Sequence, residues 1–227
     1  MTDGMALAVK TAVVLGGSGV YGAAVARMLA GEGIRVALGG RSREKLEELE
    51  AEIRASGGEA LVVGTHLAKR HHAAHLVQAA AESFGGLDVL AFMARVSAPP
   101  LARPDLDAWD RSVDVNIKGF LYCLAAALPL MREGGGGHVV SLDASDPRDP
   151  IYEAGAEAVR SLLRGLVREL SGEGIRATEV RLGDPRRSDP EACAGAVRRA
   201  LVEPPGEGVA TFTVLEGGSG IEKEVER

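Results

Sequence analysis

Residues 11–22 read TAVVLGGSGVYG. The first five, Thr11 to Leu15, are apolar or β-branched and run straight into glycines, the pattern of a short buried strand that ends in a tight turn. Beyond the turn, residues 22–30 carry Val25, Met28 and Leu29 at helical spacing, and Gly31-Glu32-Gly33 closes that helix. Gly16, Gly19 and Gly22 fall three apart, and Gly17, Gly19 and Gly22 also satisfy a G-x-G-x-x-G spacing. Such a turn lets the backbone approach a phosphate, and the helix then offers its free N–H groups and positive dipole end to the anion. A pyrophosphate is the group this arrangement holds, and Gly16, Ser18, Gly19, Val20 and Gly22 are the expected contacts.

The rhythm continues outward from this motif. Further strands are expected at residues 34–38, 60–63, 89–93, 138–142, 176–181 and 209–215. Helices are expected at 44–56, 72–84, 106–131, 153–171 and 191–202. Strands separated by helices of this length pair in parallel through right-handed crossovers. The expectation is one α/β domain over residues 1–215, a doubly wound, Rossmann-like parallel sheet of about seven strands, followed by a polar, frayed tail at 216–227.

The second expected strand ends at Gly39-Gly40-Arg41-Ser42. A carboxylate there would accept from the ribose hydroxyls of NAD. None is present, and Arg41, with Ser42 beside it, suits a 2′-phosphate, so NADP(H) is expected to bind in preference to NAD(H).

Composition narrows the function classes. The hydrophobic fraction is 46% and the charged fraction 26%, which argues against disorder. The net charge is −6 and aromatics are 4%, leaving little electrostatic attraction or stacking surface for nucleic acid. Cys123 and Cys193 are the only cysteines, too few for a disulfide framework. No uninterrupted apolar run reaches the ~18 residues of a membrane span. A cytoplasmic protein without membrane or nucleic-acid partners is expected. His71 and His75 share the i, i+4 spacing of helical metal ligands, but Lys69-Arg70 beside them repels a cation, and no metal site is expected.

Several longer motifs resemble the short-chain dehydrogenase/reductase family across nearly the whole chain. Phe84-Gly85-Gly86-Leu87-Asp88-Val89-Leu90 is similar to the family's entry to strand four, and Val115-Asn116-Ile117-Lys118-Gly119 to its asparagine motif. Gly137-His138-Val139-Val140-Ser141 is similar to the strand before the catalytic serine, and the segment from Tyr152 to Leu170 to the helix bearing the catalytic tyrosine. The resemblance implies hydride transfer between a nicotinamide and a carbonyl or alcohol, with Tyr152 as acid/base, Ser145 as the nearest serine and Asn116 as the asparagine. It also implies that Leu67 and Ala94 line the cofactor. A small-molecule substrate and a homodimer or homotetramer, paired through helices 106–131 and 153–171, are further implications.

Five positions depart from the family pattern. Ala156 stands where a lysine follows the tyrosine, and Ala144 falls on the serine position, between Asp143 and Ser145. Arg95 replaces a glycine after the fourth strand, His66 the aspartate that reads adenine, and Leu15 a threonine. Two other readings therefore stand beside the oxidoreductase. One is a catalytically degenerate member acting in binding or regulation. The other is a non-redox enzyme performing elimination, isomerisation or cyclisation with Asp143, Ser145 and Tyr152.

Overall fold

The computed structural model describes residues 9–203, 208–215 and 220–226. Eight strands, β1 (Thr11–Leu15), β2 (Arg35–Gly40), β3 (Ala60–Gly64), β4 (Val89–Phe92), β5 (Gly137–Asp143), β6 (Ile175–Leu182), β7 (Val209–Val214) and β8 (Ile221–Glu226), form one sheet in the order 3-2-1-4-5-6-7-8. The first seven are parallel and β8 is antiparallel to β7. The doubly wound sheet is as expected.

Two cores flank the sheet, because a parallel sheet buries both faces. On one face α1 (Val20–Gly31), α2 (Arg43–Ala55) and α7 (Pro190–Val202) cover Val14, Leu38, Val140 and Val180. On the other, α3 (Arg70–Phe84), α5 (Gly119–Glu133) and α6 (Pro150–Glu169) cover Val13, Leu15, Leu90 and Val139. Alternate residues of one strand therefore serve opposite cores, which explains the near-continuous apolar runs.

Three expectations need correction. The tail expected to fray contains β8; residues 216–219 and 227 of it lie outside the described residues. Its side chains are mostly exposed, so it lacks the apolar alternation of a packed strand. What holds it is backbone pairing with β7, with Glu203 gripping Lys223 and Arg164 pairing with Glu226 at 2.6 Å. Charged residues on such a strand blunt an otherwise open edge.

The long helix expected at 106–131 is three pieces: α4 (Leu106–Val113), one π-helical turn at Asp114–Lys118, and α5. Asp105 caps the start, its carboxylate accepting from Ala108 N at 2.9 Å. The stretch Leu106–Glu133 is long and apolar enough to cross a membrane, with mean hydropathy 1.4, although charged residues interrupt it. Its inward face, Phe120, Cys123, Leu124, Ala127 and Met131, is buried against α3 and the sheet, which accounts for much of that apolar content.

The tyrosine helix starts earlier than expected, at Pro150. Asp149 is its N-cap, accepting from Tyr152 N at 3.2 Å, and proline at the first helical position has no N–H to leave unbonded. Tyr152 thus sits in the first turn.

The glycine turn fits by close approach. Gly16 has φ +84°, and a Cβ there would stand 2.8 Å from Ala94 backbone; a Cβ on Gly22 would stand 2.2 Å from the Gly16 carbonyl oxygen. Because the obstructing atom is backbone, a larger residue must spread α1 away from β1. Gly22→Ala is expected to cost roughly 1–3 kcal/mol of stability, the range for overpacking a close-packed site. Urea unfolding of the two proteins measures it.

Candidate active site

A cleft of about 340 Å³ crosses the C-terminal ends of the central strands. It runs from Gly40, Arg41, Thr65 and Leu67 beyond β2 and β3, past the glycine turn after β1, to Met93, Ala94, Arg95 and Leu142 at β4 and β5. The chain turns in opposite directions from β1, toward β2 on one side and β4 on the other, so the cleft lies at the switch point where open α/β sheets take ligands.

Of the nine expected cofactor residues, Gly16, Ser18, Gly19, Val20, Gly22, Arg41, Leu67 and Ala94 line this cleft, and Ser42 does not. Ser42 precedes α2 instead. Gly16 N and Gly17 N donate to the Gly39 carbonyl at 2.9 and 3.2 Å, and Gly19 N donates to the Gly16 carbonyl at 2.9 Å, so the turn is locked by its own backbone. No side chain caps α1. The amides of its first turn are left for solvent or an anion. Arg41 is exposed at the end of β2 and enters no ion pair among the described residues, whereas Arg43 is bound to Glu47 at 2.6 Å. A dinucleotide therefore fits this chain at two observed features, uncapped amides at the start of α1 beside a turn too tight for a Cβ, and an uncommitted guanidinium next to it.

The other end of the cleft is unusual. Arg95 lines it, and its guanidinium carbon lies 4.6 Å from the centre of the Tyr152 ring, a cation–π contact. Asp149 holds the guanidinium at 3.2 Å while also accepting from Ala98 N and capping α6. Tyr152 itself is 3% exposed and does not line the cleft. Its hydroxyl donates to the Leu142 carbonyl and accepts from Ala144 N, both at 3.2 Å. Burial pushes the phenol above its usual range.

The three expected catalytic residues are not brought together on the cleft. Asn116 is buried, its amide donating to the Val96 carbonyl at 2.8 Å and to Ser112 Oγ at 3.0 Å, its oxygen accepting from Val96 N at 2.9 Å. The π turn places this side chain inward, where it pins the segment that carries Arg95. Ser145 Oγ donates to Asp143 at 2.5 Å. Around Ala156 the remaining space between Asn116, Tyr152 and Glu179 is only about 10 Å³, too little for a side chain.

Asp143 is itself occupied. Arg160 donates to it at 2.9 Å and Arg181 at 3.2 Å, and the same two guanidiniums hold Glu179 at 2.9 and 3.1 Å. Burial raises the Glu179 carboxyl against these partners. Among the described residues no three His, Cys, Asp or Glu side chains converge as a metal set would.

Comparison with known proteins agrees with this architecture. The short chain dehydrogenase profile matches residues 10–186. An uncharacterized oxidoreductase of Staphylococcus aureus is 33% identical over 224 residues, covering 90% of this chain and 96% of its own length. A metagenomic short-chain oxidoreductase solved in complex with NADP is 28% identical, with a TM-score of 0.85 over 93% of this chain and 98% of that one. An alcohol dehydrogenase of Thermococcus sibiricus, complexed with 5-hydroxy-NADP, is 26% identical, with a TM-score of 0.80 over 90% and 95%. The chain belongs to the short chain dehydrogenase family, and within it is a short-chain oxidoreductase.

Residue reading missed Tyr21, Thr65, Val96, Val115 and Leu142 in the cleft wall. Tyr21 had a signal, since it stands inside the glycine motif. Its hydroxyl donates to the Pro185 carbonyl at 2.6 Å, tying the segment after β6 to the start of α1. Nothing in the sequence pairs Arg160 with Asp143 and Glu179, which are distant along the chain. Replacing Arg160 by Met leaves two buried carboxylates with Arg181 alone, an expected loss of roughly 3–5 kcal/mol at pH 7. The deficit should narrow as pH falls and Glu179 takes a proton, as thermal unfolding of both proteins across that range will show.

Proposed function

We propose that this oxidoreductase prefers NADP(H) to NAD(H) and interconverts a small carbonyl compound and its alcohol. The observation that carries the cofactor preference is Arg41, exposed and without an anionic partner at the end of β2, beside a glycine cradle and with no carboxylate in the adjoining turn. NADP in the solved relatives' complexes supports the same reading. When bound, the nicotinamide supplies or accepts a hydride. The chain's own residues do the rest: amides at the start of α1 meet the pyrophosphate, Arg41 the 2′-phosphate, and Leu67 and Val115 offer apolar wall.

The acid/base set departs from the family's. Ala144 and Ala156 provide no hydroxyl and no ammonium, and Tyr152 spends its hydroxyl on backbone. Asp143 and Ser145 are committed to each other and to two arginines, which weighs against a non-redox reaction centred on them.

The outer faces of α5 and α6 carry partly exposed Leu121, Tyr122 and Leu162, a surface suited to pairing two copies of the chain. We take the protein to be a homodimer or homotetramer. The two buried, unpaired cysteines suit a reducing compartment such as the cytoplasm.

Calorimetric titration tests the cofactor assignment. NADPH should bind more tightly than NADH, and Arg41→Ala should weaken NADPH by about tenfold or more while moving NADH little. Equal affinities in the native chain overturn the preference. Light scattering should give twice or four times the monomer mass; a monomer overturns the assembly.

A further inference from the structure

We propose that Arg95, rather than Tyr152, is the residue that binds the substrate's reacting oxygen. This deepens the oxidoreductase reading and rests on it. Four observations lead here. The guanidinium lies at the end of the cleft away from Arg41, where the strand order places the half of a dinucleotide opposite its adenosine. It lies over the Tyr152 ring, so that charge, and not phenol, meets whatever enters the cleft. The phenol is 3% exposed, with its donor on the Leu142 carbonyl and its acceptor on Ala144 N. Finally, Arg95 is held in place at one edge only, by Asp149 at 3.2 Å. One of its five N–H groups has a protein partner among the described residues, and the others are available.

The chemistry balances without a protein acid. A bound reduced nicotinamide would supply hydride to the carbonyl carbon, and the C=O π pair would move to oxygen. The guanidinium N–H groups stabilise that negative charge, and the alkoxide then takes its proton from water. Oxidation of the alcohol is the reverse, with the proton leaving to water and hydride to the oxidised nicotinamide. A guanidinium stays charged at every working pH, so it serves as a fixed electrostatic partner and not as a proton donor. Asp149 is a positioning residue, keeping the planar group over the ring. Beneath the guanidinium lies the Tyr152 ring, a face that phenylalanine presents equally, and the hydroxyl takes no part.

Two measurements test this on the intact chain, using Arg95→Met and Tyr152→Phe, with thermal unfolding to verify that both fold. The first needs no turnover: benzoate, as an oxyanion probe, is titrated with and without NADP+. Binding should weaken about tenfold or more in Arg95→Met and stay unchanged in Tyr152→Phe. Absent benzoate binding, or equal binding in native and Arg95→Met chains, overturns the inference. The second is NADPH oxidation with a panel of ketones and aldehydes. Arg95→Met should lose roughly 10²–10³-fold in kcat, as for removal of an oxyanion-hole donor. Tyr152→Phe should stay within about threefold of the native chain. A large loss in Tyr152→Phe with Arg95→Met near native overturns the inference. Arg95→Lys, which keeps charge but not the planar fork, should fall between. Failure of NADPH to bind at all would sink the oxidoreductase reading and the reacting-oxygen role with it, whereas loss of benzoate binding in Arg95→Met alongside normal NADPH binding tests the inference by itself.

Discussion

The close approach of two backbones decides most of this structure. The Gly16 carbonyl lies where a Cβ on Gly22 would be, and the Gly16 Cα lies against Ala94. Through these contacts the first helix, the first strand and the end of the fourth strand share one packing point. Three consequences follow from it. The N-terminus of α1 is aimed across the sheet's C-terminal edge, the glycine turn reaches the cleft as bare backbone, and the residue after Ala94 lines the cleft. In this chain that residue is Arg95.

Beneath the cleft floor, polar groups are satisfied by one another to an unusual degree. Asn116 is spent on Val96 and Ser112, Ser145 on Asp143, and Asp143 with Glu179 on Arg160 and Arg181. Groups paired this way in a low-dielectric interior are rigid and costly to disturb. They suit a platform better than a proton relay, which needs groups that exchange partners. Arg95 differs from them in keeping most of its donors free while its position is fixed by a ring and one carboxylate.

The fold was legible because its signals are local. Strand β1, the glycines and α1 are contiguous, and the apolar runs of β1 and β4 report burial on both faces. Strand β8 was not legible, since its stability comes from β7's backbone and from ion pairs with Glu203 and Arg164, none of which leaves a pattern in residues 221–226. The half of the cleft around the glycine turn could be read for the same reason as the fold, as it is built from one motif and the next strand end. The catalytic half could not. Whether Tyr152 reaches the cleft depends on where α6 begins, and Asp149 with Pro150 fixes that start so that the hydroxyl reaches the backbone of β5.

The alanine at 156 bears on this last point. A long cationic side chain at that place would need room between Asn116, Tyr152 and Glu179, and the structure leaves about 10 Å³ there. Ala144 and Ala156 present only methyl groups where α6 faces β5, and there the phenol bonds Leu142 O and Ala144 N. The methyl of Ala156 and the enclosed tyrosine hydroxyl belong to the same contact between α6 and β5. Arg95 is the complement to it. The buried Tyr152 ring lies beneath Arg95, and a guanidinium tethered by Asp149 covers that ring while keeping N–H groups directed elsewhere. Positive charge at this end of the cleft is carried by a group on β4's exit.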